Sequence, residues 1–494
     1  MAEAPYPGRG PSRLVPVLLV VASFVTVSVV AFQLATIPPP PTFTMAIDSQ
    51  PPGVSFSIDG VKHTTPFNGS LVARSHTIIM PSHAVIDGVT YNFQRWSDGP
   101  ADRSRGFVLQ GNRSFSASFV RTVATLPVAS DSYAATFSLS TNGGKKFLAD
   151  SLGHPIVVYI NGQGQVAVTV NHGDPMKDAW NPPFVSPRGF SRPAAVLLTD
   201  DEMHVVGEFQ SSVRDLVVHL SRDPQGHVTG ATFDPAIPVE DRGGYASAVR
   251  AHDGSIWAVW NRWDGPVGAF TASRLVAGHW TPGNGWTKQV IAIDTGNTER
   301  FYPIIIERPD NFKLYVFANR GEGSPDRRFA FVSAPFSNGN WTWGGADLSY
   351  ETIASRGITD SVDAAWDPIR NRVVVVNDHT GTPSYFAFTL DANDVKTHFD
   401  TPDFAIVNND WGSILVDSAS GDYYLLFMET YGAAVGRACY TRWHGGLWSD
   451  FVVLDENPSD AAFRPSSVPS SHKDVVFARG SVTGSVEIRY ARIP

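Results

Sequence analysis

Hydrophobic positions are distributed along the chain in two different ways. Residues 14–37 form one uninterrupted run without a charged side chain, whereas the rest of the chain carries short apolar stretches separated by polar turn residues. As a helix, the run would span roughly 36 Å, which exceeds the roughly 30 Å hydrocarbon core of a bilayer. The pattern predicts a transmembrane helix over 14–37 that contacts the lipid bilayer, followed by an extended Pro-rich spacer over 38–42.

The flanking charges predict the orientation of this helix. Arg9 and Arg13 precede the run, and no basic residue follows it before Lys62. Because basic residues stay on the cytoplasmic side, we expect a cytoplasmic tail over 1–13 and extracellular C-terminal domains, which makes a single-pass protein of the cell membrane. A cleaved signal peptide is the alternative, but its apolar region normally has about 7–15 residues.

Residues 43–121 show the period of two that is typical of strands. Val54–Ile58 and His76–Met80 alternate polar and apolar side chains, and Asp59-Gly60 and Asp87-Gly88 are turn signals. The segment predicts a small β-sandwich-like domain.

The same segment resembles the PEGA-like and bacterial-repeat Ig-like modules of surface proteins. The resemblance rests on the motifs VSFSIDG, TTPF, HTIIMP, YNFQRWSDG and SASFV, in that order. It implies a spacer or adhesion module in which Trp96 fills the core and Ser97-Asp98-Gly99 forms a turn.

Residues 122–494 contain an internal repeat, which is the signature of a repeat architecture. The equivalent positions at which each repeat opens are Pro193, Ala246, Pro303, Asp363, Gly412 and Pro465, with spacings of 53, 57, 60, 49 and 53 residues. Each opening strand is followed by two further apolar strands, and in the first five repeats by a fourth, more polar one. Four short strands per repeat predict an all-β fold, a β-propeller over 122–494.

The two ends of this region predict how the ring closes. The last repeat stops after its third strand, and a spare strand over Thr122–Ala129 precedes the first strand cluster, which includes Ala134–Ser140. We expect the spare N-terminal strand to complete the last blade, because closure removes exposed sheet edges. The count is seven blades, or six if residues 133–190 are irregular.

A short motif gives the propeller a family resemblance. The segment Ser140–Phe147 (STNGGKKF) resembles the Asp-box of sialidase-type and BNR propellers, with Asn142 in place of the aspartate. In that family the box stabilises a turn far from the active site, so the resemblance implies a fold and leaves the function open.

Composition removes several classes of function. A net charge of −9 argues against a nucleic-acid partner, which needs a basic surface. The single cysteine, Cys439, excludes an internal disulfide and a multi-cysteine zinc site, and we expect it to lie in the core. No nucleotide or metal motif is present, so we expect neither a cofactor nor a metal.

The topology of a propeller places candidate ligand-binding residues at one mouth of the ring. The start of each first strand and the end of each second strand should meet there, and both positions are rich in arginine. The candidate ligand-binding residues are Arg192, Arg242, Arg262, Arg300, Arg320 and Arg464. Guanidinium groups suit carboxylate or sulfate partners, although interleaved aspartates and glutamates could instead pair with them in a structural rim.

Two catalytic hypotheses use the same mouth. A sialidase-like site would combine Arg192, Arg300 and Arg464 with Tyr302 or Tyr245, Glu299 and Asp360, although the family's usual (F/Y)-R-I-P motif is absent near the start of the propeller. A polysaccharide lyase would need a His or Tyr base beside such an arginine, and His379 with Tyr302 could serve.

Three functions stay open at this point. The first is a membrane-anchored surface protein whose propeller head binds a glycan or protein partner, and we expect binding rather than catalysis. The second is a sialidase-like glycoside hydrolase or a polysaccharide lyase acting on acidic glycans. The third is a structural scaffold of an envelope complex.

Overall fold

The computed structural model describes most of the chain after residue 39. The described ranges are 40–98, 100, 102–121, 123, 125–132, 146–265, 271–295, 301–320, 328–345, 347–352, 357–380, 385–399, 409–431, 435–449, 451–454, 461–467, 473–480 and 486–493. The predicted membrane helix over 14–37 therefore lies outside the described residues. Within them, no helix is long and apolar enough to cross a bilayer.

The chain divides into two compact units, Met1–Phe119 and Val120–Pro494. All regular elements in the described part of both units are β-strands. The first unit has nine strands in its described part: β1 (Thr42–Gln50), β2 (Ser55–Ile58), β3 (Val61–Thr64), β4 (Phe67–Val72), β5 (Ser75–Ile79), β6 (His83–Ile86), β7 (Val89–Trp96), β8 (Ser104–Val108) and β9 (Arg113–Arg121).

Two sheets form this first unit, in the orders β4-β1-β9-β7-β6 and β3-β2-β5-β8. Apolar side chains from both sheets make one core, in which Trp96 is fully buried and donates its indole N–H to the carbonyl of Asp102 at 2.8 Å. Asp98, in the turn that follows, pairs with Arg105. The structure thus assigns Trp96 to the core; the PEGA-like identity of the module stays a prediction.

Seven sheets of four or five strands make up most of the described part of the second unit, and except for β10 their strands are grouped in chain order. The first four sheets contain β11–β14, β15–β19, β20–β23 and β24–β26 with β29, and β10 belongs to the last sheet. The strands are β10 (Thr125–Ser132), β11 (Phe147–Ala149), β12 (Pro155–Ile160), β13 (Gln165–Val170), β14 (Phe184–Gly189), β15 (Ser191–Leu197), β16 (Glu202–Phe209), β17 (Ser212–Arg222), β18 (Val228–Phe233), β19 (Ile237–Glu240), β20 (Gly243–Arg250), β21 (Ile256–Asp264), β22 (Ala272–Thr281), β23 (Gly285–Thr295), β24 (Phe301–Arg308), β25 (Lys313–Arg320), β26 (Arg328–Ala334), β27 (Phe336–Ser337), β28 (Asn340–Trp341) and β29 (Asp347–Thr352).

The remaining three sheets contain β30–β33, β34–β38 and β39–β41 with β10, while β27 and β28 form a separate small hairpin. Their strands are β30 (Gly357–Asp367), β31 (Arg372–Thr380), β32 (Tyr385–Leu390), β33 (Lys396–Phe399), β34 (Asn409–Val416), β35 (Tyr423–Tyr431), β36 (Val435–His444), β37 (Leu447–Trp448), β38 (Val452–Val453), β39 (Ala461–Ser467), β40 (Asp474–Gly480) and β41 (Val486–Arg492).

Hydrophobic packing joins these sheets into a ring. Among the described residues, six apolar clusters each lie between two sheets that follow one another in the chain, and a seventh cluster joins the seventh sheet to the first. Because both faces of a sheet are covered, its middle strands are apolar throughout, as in β12, where all six residues are buried. Cys439 is buried in one of these clusters, as expected.

The ring closes through strands from the two ends of the unit. Strand β10 pairs antiparallel with β41, with Leu126 opposite Tyr490, so the seventh sheet has the order β10-β41-β40-β39. Arg489 strengthens this pairing by donating to the hydroxyl and carbonyl oxygens of Thr125. The expected strand over Ala134–Ser140, and most of the Asp-box-like segment, lie outside the described residues.

Three histidines join the first two sheets at the end of the ring where first strands finish. Ring centroids of His154, His172 and His227 lie 4.8–5.7 Å apart. The backbone N–H of Val228 donates to Nε2 of His172 at 2.9 Å, so a loop of the first sheet supports a strand of the second.

We expect that Ile488→Ala will weaken the closure of the ring. Ile488 is fully buried between the seventh and first sheets, and truncating such a side chain costs about 2–5 kcal/mol of unfolding free energy. Chemical denaturation measures the loss. Leu447→Ala is the control, because Leu447 is 76% exposed and should change stability by no more than about 0.5 kcal/mol. Equal effects of the two variants would contradict this packing.

His172 should make stability fall in acid. Burial and the neighbouring His154 and His227 lower the pKa of His172, and Asp150 and Asp223 only partly oppose them. As pH falls, His172 therefore binds a proton in the unfolded chain at a higher pH than in the folded protein. The contribution of neutral His172 to stability is complete above about pH 6.5 and is lost as pH falls through the lower pKa of the folded state.

His172→Gln is the variant that tests this, since its amide oxygen can still accept the Val228 N–H but does not titrate. Melting temperatures between about pH 7 and pH 5 should fall less steeply in the variant than in the wild type. Parallel curves would show that His172 does not control the acid response.

Candidate functional site

The start of the first strand is irregular in five sheets of the described ring. The register against the second strand shifts between Ser191 and Ala194, Gly244 and Ser247, Ile358 and Val362, Asp410 and Ser413, and Phe463 and Ser466. Such bulges turn a side chain out of the ladder and are common next to functional sites. The skipped positions include the predicted residues Arg192, Tyr245, Asp360 and Arg464.

Strand pairing brings the two predicted sets of positions to the same edge of each sheet. Ser191 lies opposite Glu208, Gly243 opposite Arg262, and Phe301 opposite Arg320. In the fifth sheet, Ile358 lies opposite His379. We call this end of the ring, where first strands begin and second strands end, the bulge face.

Arg192 is the best-defined predicted residue on the bulge face. Its Nη1 donates to Oε2 of Glu208, and its guanidinium carbon lies 4.4 Å from the ring centroid of Tyr245 in the next sheet. The side chains of Arg192 and Glu208 are 15% and 13% exposed. The pair is therefore largely withdrawn from water but still reachable from it.

The backbone beneath this contact is strained. Arg192 and Tyr245 have φ angles of 50° and 59°, in the left-handed region that residues with a Cβ rarely adopt. They occupy equivalent bulges of neighbouring sheets. Strain of this kind persists only where the surrounding structure imposes it, and it concentrates at active sites and ligand clamps.

Three aromatic side chains form a wall behind Arg192. Tyr245 contacts Tyr302 edge to face at 4.6 Å between ring centroids, and Trp263 at 6.2 Å. All three are buried. Tyr245 thus contacts both Arg192 and Tyr302, a predicted catalytic residue.

Gly244 makes room for the carboxylate of Glu208. A Cβ atom built on Gly244 would lie 2.6 Å from Oε2 of Glu208 and 3.0 Å from the ring of Trp263. The first distance is shorter than Cβ contacts in real structures, and the second is at the tight limit. The absence of a side chain at this position therefore leaves the space, beside Arg192 and Trp263, that the carboxylate fills.

Two other candidate ligand-binding arginines, Arg262 and Arg242, contact acidic side chains or a backbone carbonyl. Arg262 lies 3.8 Å from Glu240 and 3.4 Å from Asp264, and Lys288 lies 3.3 Å from the same Glu240. Arg242 donates to the backbone carbonyl of Gly265. This part of the bulge face matches the alternative of a charge-paired rim.

The remaining predicted residues are placed only in part. Glu299 and Arg300 lie outside the described residues. Arg320, Asp360, His379 and Arg464 lie in described strands, β25, β30, β31 and β39, whose backbone alone is described at these positions. Convergence of Arg192, Arg300 and Arg464 on one ligand stays a prediction.

Sequence reasoning did not single out Glu208, Gly244 or Trp263 as site residues. Glu208 was one of many charged residues that follow second strands. The signal that could have selected it is its place opposite Ser191, the residue before Arg192. No comparable signal exists for Gly244, because its role depends on a side chain from another sheet.

Comparison with known proteins reveals the fold. No protein-family model matches the chain, and no curated protein sequence matches it. Among solved structures, an ulvan lyase bound to -[GlcA(1-4)Rha3S]- matches with a TM-score of 0.53 at 10% identity, over 74% of this chain and 95% of the lyase. The likeness is one of fold.

Two further solved structures match a similar share of the chain. A second structure of an ulvan lyase gives a TM-score of 0.51 at 10% identity, with 74% of this chain and 94% of that chain covered. The polysaccharide lyase Uly1 gives 0.48 at 12% identity, with 71% and 90% covered. The two ulvan lyase structures show that this chain shares a β-propeller fold with them.

Gly244→Ala should destabilise the second unit. The added methyl group collides with Glu208 and Trp263, and overpacking of this kind costs about 1–3 kcal/mol. Thermal unfolding measures the effect. Gly345→Ala is the matched control, because its Cβ meets nothing within 4 Å, and a loss of equal size in both variants would contradict the close fit at Gly244.

Proposed function

We propose that this chain is an extracytoplasmic protein whose propeller binds an acidic polysaccharide at the bulge face. The observation that carries the proposal is the pair of strained bulges at Arg192 and Tyr245. They hold a guanidinium group against an aromatic ring at the mouth of the ring of sheets. A guanidinium group can donate two parallel hydrogen bonds to a carboxylate or sulfate, and an aromatic ring stacked against the guanidinium holds it in place.

The fold comparison supports the same class of ligand. The ulvan lyase with the shared fold is bound to a repeat of glucuronate and 3-sulfated rhamnose, as its name states. Both sugars carry an anionic group of the kind that Arg192 suits. We infer the ligand class of the present chain from this chemistry together with the geometry at Arg192.

The first 121 residues suit the presentation of such a head at a cell surface. A membrane helix over 14–37, a spacer over 38–42 and a PEGA-like module would tether the propeller and hold it away from the bilayer. This arrangement favours a surface role for the chain, with the bilayer as its second partner.

A polysaccharide lyase is the second candidate, favoured by the phenol of Tyr245 beside Arg192. In such a reaction a base removes the proton at C5 of a uronate while an arginine neutralises the carboxylate. The electron pair forms the C4–C5 double bond, the C4–O4 bond breaks, and the leaving oxygen takes a proton. Arg192 would hold the carboxylate and Tyr245 would exchange the proton.

Binding to polyglucuronate, dextran sulfate and neutral dextran tests the proposal. We expect the full chain, purified in detergent, to bind one or both acidic polymers and not to bind neutral dextran. Arg192→Ala should weaken acidic binding about 10- to 100-fold, because a charged hydrogen bond contributes about 1.5–3 kcal/mol. Calorimetry measures the affinities.

Arg250→Ala is the matched control, since Arg250 is exposed at the opposite end of strand β20. The affinity of this variant for the acidic polymers should equal that of the wild type. If no acidic polymer binds, the proposal is wrong. The ultraviolet absorbance of an unsaturated uronate product, lost in Tyr245→Phe while binding remains, would identify the lyase candidate.

A further inference from the structure

Glu208 occupies a space that is shaped for a carboxylate. Arg192 donates to its Oε2, and both this oxygen and the ring of Trp263 lie beside Gly244. Gly244 leaves the space open, since any side chain there would meet Oε2 at 2.6 Å. We call the space bounded by Arg192, Gly244 and Trp263 the carboxylate slot.

This slot lies at the point where a ligand would meet the bulge face. It opens beside the strained residues Arg192 and Tyr245, and the side chains of Arg192 and Glu208 are only 15% and 13% exposed. A largely buried guanidinium needs an anion next to it, because an unpaired buried charge is costly. Glu208 supplies an anion at Arg192.

We propose that the carboxylate slot is the subsite for a uronate carboxylate and that Glu208 is its built-in placeholder. This inference rests on the proposed binding of acidic polysaccharides and names the group of the ligand that is recognised. When a uronate binds, its carboxylate takes the place of Glu208 at Arg192, and the Glu208 side chain turns out to solvent. Glu208 therefore competes with the ligand for the same guanidinium.

The competition has a direct consequence for affinity. A glutamine at position 208 keeps the shape of the side chain but removes its charge, so position 208 no longer offers Arg192 an anion that competes with a ligand carboxylate. Uronate binding then replaces a hydrogen bond to a neutral amide oxygen, which is weaker than the guanidinium–carboxylate pair of the wild type. The slot should consequently prefer an external carboxylate.

Calorimetric titration of the full chain and its variants with polyglucuronate tests this directly. Glu208→Gln should bind about 10-fold more tightly than the wild type, the fold-change of a single charged contact. Binding of neutral dextran should stay absent. Adding Gly244→Ala to Glu208→Gln refills the slot with a methyl group and should abolish the gain, whereas adding Gly345→Ala should leave it intact.

The outcomes separate this inference from the proposed function. If the wild type binds polyglucuronate through Arg192 but Glu208→Gln binds equally or more weakly, then Glu208 positions Arg192 or only stabilises the fold, and the placeholder is wrong. If neither protein binds any acidic polymer, the proposed function itself fails. Melting temperatures show whether each variant is folded.

A second variant keeps the test decisive if Glu208→Gln does not fold. Glu208→Asp retains the charge but shortens the side chain by one methylene, which withdraws the carboxylate from Nη1 of Arg192. It should tighten polyglucuronate binding by a smaller factor than the glutamine variant. Unchanged or weaker binding by a folded Glu208→Asp protein would overturn the proposal.

Discussion

The closed circle of face-to-face sheet packing is the constraint on which the second unit depends. Each sheet buries both faces against its neighbours, and the seventh sheet packs against the first through residues such as Ile488 and Tyr159. Closure by β10 and β41 joins strands from opposite ends of the unit. A ring of this kind gains its last interface only when every sheet is in place, so each sheet is stabilised by the completion of the others.

That closed ring can hold strained backbone at its bulge face. Positive φ angles at Arg192 and Tyr245 are unfavourable locally. The sheets below them fix the strand starts, because Ala194 and Ala246 are buried between the second and third sheets. The strain is thus balanced by packing deeper in the ring, and the side chains of the bulges are displayed in fixed positions.

The two ends of the ring differ in how their polar groups are used. At the end opposite the bulge face, Asp150, Arg222 and the three histidines link neighbouring sheets. At the bulge face, Arg192 stacks on an aromatic ring of the next sheet and pairs with the carboxylate of Glu208. The side chains of this pair are partly accessible to water. This difference favours the bulge face as the place where a ligand is recognised.

The sequence by itself determined the local features of this protein. The spacing of the opening strands, their apolar character and the spare strand before the first repeat all predicted an all-β repeat closed by its N-terminal strand, because strand periodicity is written in neighbouring residues. It also predicted that Arg192 would lie where first and second strands meet. Only the tertiary structure decided that Arg192 pairs with Glu208, rests on Tyr245 and depends on the missing side chain of Gly244. Those contacts join residues of different strands and different sheets, and which of them meet depends on bulges and packing that no local pattern records.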